Sequence, residues 1–69
     1  MKNIKIETEY IKLDQFLKWA DLVPTGTESR ILISEEQIKV NGEIETRRGK
    51  KLRKGDIIEV ENNQYKIVN

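Results

Sequence analysis

Residues 38–46 read Ile38-Lys39-Val40-Asn41-Gly42-Glu43-Ile44-Glu45-Thr46, and the fold turns on them. Ahead of Glu36 the apolar residues recur at helical spacing; from Ile38 the period falls to two. Ile38 and Val40 alternate with polar neighbours, as a half-buried strand does. Asn41-Gly42 is a pair in which both residues tolerate positive φ, which a tight antiparallel turn requires. Residues 43–46 are then the expected return arm. Helical segments that give way to hairpins point to an α+β fold.

On the N-terminal side, Leu13, Phe16, Leu17 and Ala20 share one face of a stretch, LDQFLKWADL, that holds neither Gly nor Pro. That spacing predicts a helix. Pro24 is expected to stop it within a residue or two, because the residue before a proline avoids the α region. Thr25 or Thr27 can cap a second helix, with Glu28 placed favourably against its dipole. Ile31 and Leu32, with Ser29 and Ile33, would turn this helix toward the first. Residues 3–8 alternate through Ile4 and Ile6 as a short strand. Beyond the hairpin, Lys54-Gly55-Asp56 marks a second turn and Asn62-Asn63 a third. Ile57, Ile58 and Val60 predict one further strand, and Tyr65, Ile67 and Val68 the last.

Between the hairpin and the second turn lies Arg47-Arg48-Gly49-Lys50-Lys51-Leu52-Arg53-Lys54, six cations in eight residues. The chain as a whole has 13 Lys and Arg against 12 Asp and Glu, a net of +1. Removing the six leaves seven cations facing twelve acids, a net of −5, so an acidic body carries one basic segment. Local asymmetry of this kind steers polyanions whatever the net charge. Its place between two turn signals, with Leu52 inside it, predicts a structured loop or irregular strand anchored by Leu52. A floppy basic arm would sit at a terminus. Six like charges repel one another, and a phosphate backbone compensates that repulsion while releasing condensed counterions.

The composition excludes much else. With 69 residues, 36% hydrophobic and 36% charged, one domain with a small core and a highly charged surface is expected. The absence of Cys removes disulfides, thiolate metal sites and a thiol nucleophile. The absence of His removes the usual general base and the commonest metal ligand. No catalytic, cofactor-binding or metal site is therefore expected. No apolar run approaches the roughly 18 residues of a membrane span, and MKNIKIETEY lacks the apolar region of a secretory signal. A cytoplasmic monomer with no membrane partner is the expectation. Trp19, about 60° from Phe16 on the helix, is read as a core-edge residue, and Tyr10 and Tyr65 as packing. An exposed Trp19 would instead offer a surface for base stacking. Gly49 either permits positive φ in a turn, the favoured reading, or lets the backbone approach a phosphate between the flanking cations.

Taken in order and at these spacings, KLDQFLKWADLV (12–23), TESRILI (27–33), IKVNGE (38–43), the basic stretch and KGD (54–56) resemble the S-four domain. That module is named after small-subunit ribosomal protein four, and its core of two helices and a hairpin is the αL motif. The likeness runs from about residue 12 to 60, and ETRRGKKL looks like the stand-alone YaaA-type branch of small bacterial proteins. The resemblance implies a single domain over residues 1–69, with helices packed on a small, mostly antiparallel sheet. It also implies non-catalytic binding of structured RNA, ribosomal RNA or a ribosome-assembly particle. Carried over by position, Lys12, Arg30, Arg47, Arg48, Lys50 and Lys51 fall where the family meets RNA, and Arg53 and Lys54 complete the basic segment. Two positions depart from the pattern. Gly26 stands where many members have Arg, and Glu36 replaces the usual Gly ahead of the hairpin. From charge alone, an adaptor docking an acidic protein surface and a DNA-binding accessory protein stay open. The 2′-hydroxyl separates RNA from DNA.

Overall fold

The computed structural model describes residues 1–69. Helix α1 (Leu13–Trp19) forms on the predicted stripe, with Leu13, Phe16 and Leu17 fully buried. It ends at Trp19, well before Pro24, so the proline is not what stops it. The stop is a Schellman turn around Asp21, whose φ is 60°. The Asp21 N–H donates to the Lys18 carbonyl at 3.0 Å and the Leu22 N–H to the Leu17 carbonyl at 2.9 Å, satisfying the helix's last carbonyls. Asp, with its short polar side chain, enters the left-handed region more readily than most residues.

Helix α2 (Gly26–Ser34) is capped by Thr25, whose Oγ1 accepts from the Glu28 N–H at 3.2 Å. It ends in the same motif. Glu36 has φ 60°, its N–H donates to the Ile33 carbonyl at 3.2 Å, and the Gln37 N–H donates to the Leu32 carbonyl at 3.1 Å. Glu36 thus occupies the left-handed position that suits glycine. Ser29 and Ile33 are fully buried and Leu32 half-buried, whereas Ile31 is 44% exposed, contrary to the sequence expectation. Two residues before Ile33, it falls about 200° around the helix from the buried stripe. The Ser29 Oγ donates to the Asp14 carbonyl at 3.1 Å, so a small, satisfied polar group joins the two helices.

Strands β3 (Ile38–Val40) and β4 (Glu43–Ile44) form the predicted hairpin, with Asn41 at φ 52° and Gly42 at φ 88°. The return arm is shorter than residues 43–46. Strands β6 (Ile57–Val60) and β7 (Asn63–Val68) are joined by Glu61-Asn62, at φ 51° and 70°. Asn63 already pairs with Val60, so this turn lies one residue earlier than Asn62-Asn63. The N-terminal strand β1 (Lys2–Lys5) is shorter than expected and pairs in parallel with β7. The sheet order is β1-β7-β6-β3-β4, antiparallel apart from that edge. Ile4, Ile38, Val40, Ile58, Val60 and Ile67 join Leu13, Phe16, Leu17 and Ile33 in one buried cluster. Tyr65 meets Phe16 edge-on at 6.5 Å between ring centroids. The result is an α+β fold, two helices on a small, mostly antiparallel sheet. A separate ribbon, β2 (Ile11–Lys12) with β5 (Lys51–Leu52), carries the basic segment.

Candidate nucleic-acid interface

The basic segment is fixed from within the backbone. Leu52 is fully buried and pairs with Ile11, and Lys51 pairs with Lys12. Helix α1 receives no side-chain cap from Lys12. Its first amides instead donate to the segment, Leu13 to the Lys50 carbonyl at 2.9 Å and Asp14 to the Arg48 carbonyl at 3.2 Å. Groups that every helix start leaves unpaired therefore hold the basic segment, while its cationic side chains stay at the surface. Arg47–Lys50 is a turn closed by the Lys50 N–H on the Arg47 carbonyl at 3.3 Å. Gly49 in that turn does not have positive φ, and a Cβ there would meet nothing within 4 Å. The conformational reading of Gly49 fails; the residue leaves the turn surface bare.

The far end of the segment is clamped to the hairpin. The Arg53 N–H donates to Asp56 Oδ2 at 2.8 Å, and Asn41 Nδ2 donates to Asp56 Oδ1 at 3.1 Å. Asn41 Oδ1 in turn accepts from the Ile57 N–H at 2.9 Å. The Asn of the first turn and the Asp of the second are thus partners, with Gly55 at φ 94° between Lys54 and Asp56.

These contacts sort the eight candidate cations into groups. Arg47 is held by an acid that lies just outside the segment. Its Nε and Nη2 donate to the two Glu45 carboxylate oxygens, each at 3.0 Å, and its N–H adds a third bond at 3.0 Å. The Arg47 side-chain bonds hold the Glu45 carboxyl at about 2, against the opposing effect of burial and helped by the Arg47 N–H and the Arg47 and Lys50 charges. The same side-chain bond and carboxylate charge raise the Arg47 pKa. Arg53 reaches Glu9 at 3.4 Å and lies 5.5 Å from the Tyr10 ring centroid, with the Lys51 ammonium 4.8 Å from it. Tyr10 is therefore a platform for cations as well as a packing residue.

Arg30, Arg48, Lys50, Lys54 and Lys12 form no ion pair. Arg30 and Arg48 line one cleft of about 610 Å³, together with the hydroxyl-bearing Thr27, Ser34 and Thr46 and no acid. Lys12 lines a second groove, of about 590 Å³, which contains Tyr10 and Trp19. Trp19 is 62% exposed, contrary to the core-edge reading. Its Nε1 donates to the Lys5 carbonyl at 2.9 Å. Lys18 is not among the eight candidate cations, yet its ammonium lies 4.0 Å from where a Cβ on Gly26 would be. It brings a cation to the position where the resemblance leads one to expect Arg. Helical spacing gave no signal for this, since the contact joins two helices. No group of three acidic side chains is placed to hold a metal ion, and no helix is long and apolar enough to cross a membrane.

An αL-type helix pair and hairpin, with a clamped basic segment along one edge, defines a module of the S4 class. The chain belongs to the S4 domain family, whose model matches residues 4–68. It is 43% identical over 67 residues to the probable ribosome maturation protein RlbA of Bacillus subtilis, covering 96% of this chain and 94% of that protein. Among solved structures, it is similar to YbcJ of E. coli, described as having an αL motif involved in RNA binding. The TM-score is 0.75 with 26% identity, covering all of this chain and 89% of YbcJ. The 30S ribosomal protein S4e of Thermoplasma acidophilum shares the fold, with a TM-score of 0.66 and 17% identity over 87% of this chain and 32% of that one.

Proposed function

We propose that this protein binds structured RNA without catalysing a reaction on it, its target being ribosomal RNA in a maturing ribosomal particle. The observation that carries the reading is the basic segment bonded to helix α1 through backbone amides, which sets Arg48 beside Arg30. A backbone fixed in this way needs no ordering when a phosphate arrives, which leaves only side-chain freedom to be lost. The two guanidiniums suit bidentate contacts to phosphate oxygens, and Thr27, Ser34 and Thr46 offer hydroxyls to phosphates and 2′-hydroxyls. Lys12, Lys50, Lys51 and Lys54 extend the cationic edge, with Arg53 over the Tyr10 ring beside them. Arg47 serves chiefly to order the turn, because Glu45 already engages it. Such a surface reads shape more than sequence. The family's RNA-binding character, the RNA-binding motif of YbcJ and the ribosome maturation role named for RlbA support this reading. On it, residues 1–69 act as one cytoplasmic, monomeric RNA-binding domain.

Matched RNA and DNA hairpins, titrated at several salt concentrations, test the proposal. The expected result is tighter binding of RNA, with affinity falling by about 0.7–0.9 log units per log unit of salt for each phosphate contact. Equal affinity for the two would remove the RNA assignment, and binding to neither would favour an acidic protein surface as partner. Crosslinking in cells followed by sequencing of the attached RNA should return ribosomal RNA; its absence from the captured pool would count against the ribosomal target.

A further inference from the structure

We infer that the groove beside Trp19 receives one unpaired nucleobase of the bound RNA, stacked on the indole. The inference rests on the RNA-binding reading and adds to it a contact of different chemistry. Trp19 is the chain's single Trp. It is largely exposed, and its N–H is tied to the Lys5 carbonyl, so the ring is held in place with its surface bare. Tyr10 shares the groove, but its ring is already occupied by Lys51 and Arg53, and no cation lies over Trp19. The indole is the free aromatic surface of this region.

Charge selects the occupant. Glu7 and Glu9 stand in the lining against Lys12, and Arg53 already engages Glu9, so the lining itself has no net positive charge to draw in a phosphate backbone. Ile6, Ile11 and the aromatic rings make most of the remaining wall apolar, and Thr8 and Gln15 supply neutral polar groups. A flat, uncharged ring with a polar rim fits that lining, which is the description of a nucleobase. Lys12 belongs both to this groove and to the ribbon, where it pairs with Lys51. A strand whose phosphates lie on the cationic ribbon therefore has the indole within reach of a base that leaves the stack. Base–aromatic stacking is tolerant of sequence because every base has a π-face.

Two RNA hairpins with the same stem, one fully paired and one with a single bulged adenine, test the inference. Affinity is read by fluorescence anisotropy and stacking by the emission of Trp19. The wild-type protein is expected to bind the bulged hairpin about tenfold more tightly, in the range that one stacked base supplies, with quenching of the Trp19 emission. Trp19→Ala should bind both hairpins at the affinity the wild type has for the paired one, and Trp19→Phe should recover part of the preference. Because Trp19 is mostly exposed, both variants should fold, which far-UV circular dichroism checks. Equal wild-type binding of the two hairpins, or a preference that survives Trp19→Ala, overturns the inference and leaves RNA binding standing. Binding of neither hairpin removes the RNA reading, and the base-binding groove goes with it.

Discussion

The cleft at Arg30 and Arg48 and the groove at Trp19 have nearly the same volume, about 610 and 590 Å³, but opposite linings. Both include two isoleucines, but the cleft adds two guanidiniums, three hydroxyl-bearing side chains and no acid, whereas the groove adds two aromatic rings and two carboxylates against one ammonium, one of those carboxylates engaged by Arg53. Size therefore says nothing about what each would hold. Lining chemistry does: the first suits phosphate, the second an uncharged planar group. The start of helix α1 joins them. Asp14 donates to the Arg48 carbonyl on one side, while Lys12 and Gln15 line the groove on the other.

The most severe way to break this pairing is to remove its common anchor. Leu52 is fully buried in the ribbon that carries the cations. Leu52→Ala should cost about 2–5 kcal/mol, a large share of the stability open to so small a chain. Urea denaturation would show it as a lowered midpoint, and an unchanged midpoint would mean that the segment is not anchored there.

A gentler change separates the two sites. Arg30→Ala with Arg48→Ala should weaken binding of every RNA tested and lower the slope of log affinity against log salt by about 1.5. Trp19→Ala should leave that slope alone. A slope that moves equally in both variants would erase the distinction between a charge-lined cleft and a contact-lined groove.

Helix endings provide a control that touches neither site. Glu36 sits at φ 60°, where a side chain is strained and glycine is not. Glu36→Gly should raise stability by about 0.5–1 kcal/mol with no change in RNA affinity. A destabilised variant would show that the Glu36 side chain has a role its backbone position does not explain.

The smallest effect concerns the turn that presents Arg48. The folded-state pKa of Glu45 is held at about 2, below its ordinary 4.5. A carboxylate depressed in this way contributes stability that is fully present above about pH 4.5 and is lost as the pH falls through about 2. The difference in urea midpoint between wild type and Glu45→Gln should therefore be largest near neutrality and vanish toward pH 2. A difference independent of pH would mean that the ion pair with Arg47 contributes nothing.

How much of this was legible in the chain depends on the distance over which each feature is coded. The hairpin at Asn41-Gly42, the Thr25 cap and the buried stripe of Leu13, Phe16 and Leu17 are coded within a few residues, and all form as expected. Leu52 as the anchor of the basic segment was likewise legible, since one apolar residue among cations has nowhere to go but inward. Helix ends were less so. Pro24 is a visible signal, but Asp21 reaches the left-handed region first, and the choice between such residues is made by the carbonyls their neighbours can satisfy. Trp19 was misplaced because a helical period gives an angle and not the depth of the neighbouring wall; its N–H finds the Lys5 carbonyl only after β1 has joined the sheet.

By itself, the sequence determined the order of helices and hairpins, the identity of most core residues, and the presence of one basic segment in an acidic chain. Those follow from periodicity, turn chemistry and charge counting, which act between neighbours along the chain. Only the tertiary structure decided which cations stay free. It brought Glu9 onto Arg53, left Arg48 beside Arg30, and bared Trp19 over its groove. The reason is that an ion pair or a cleft depends on side-chain positions a few ångströms apart in space, and those are set by packing between segments far apart in the chain.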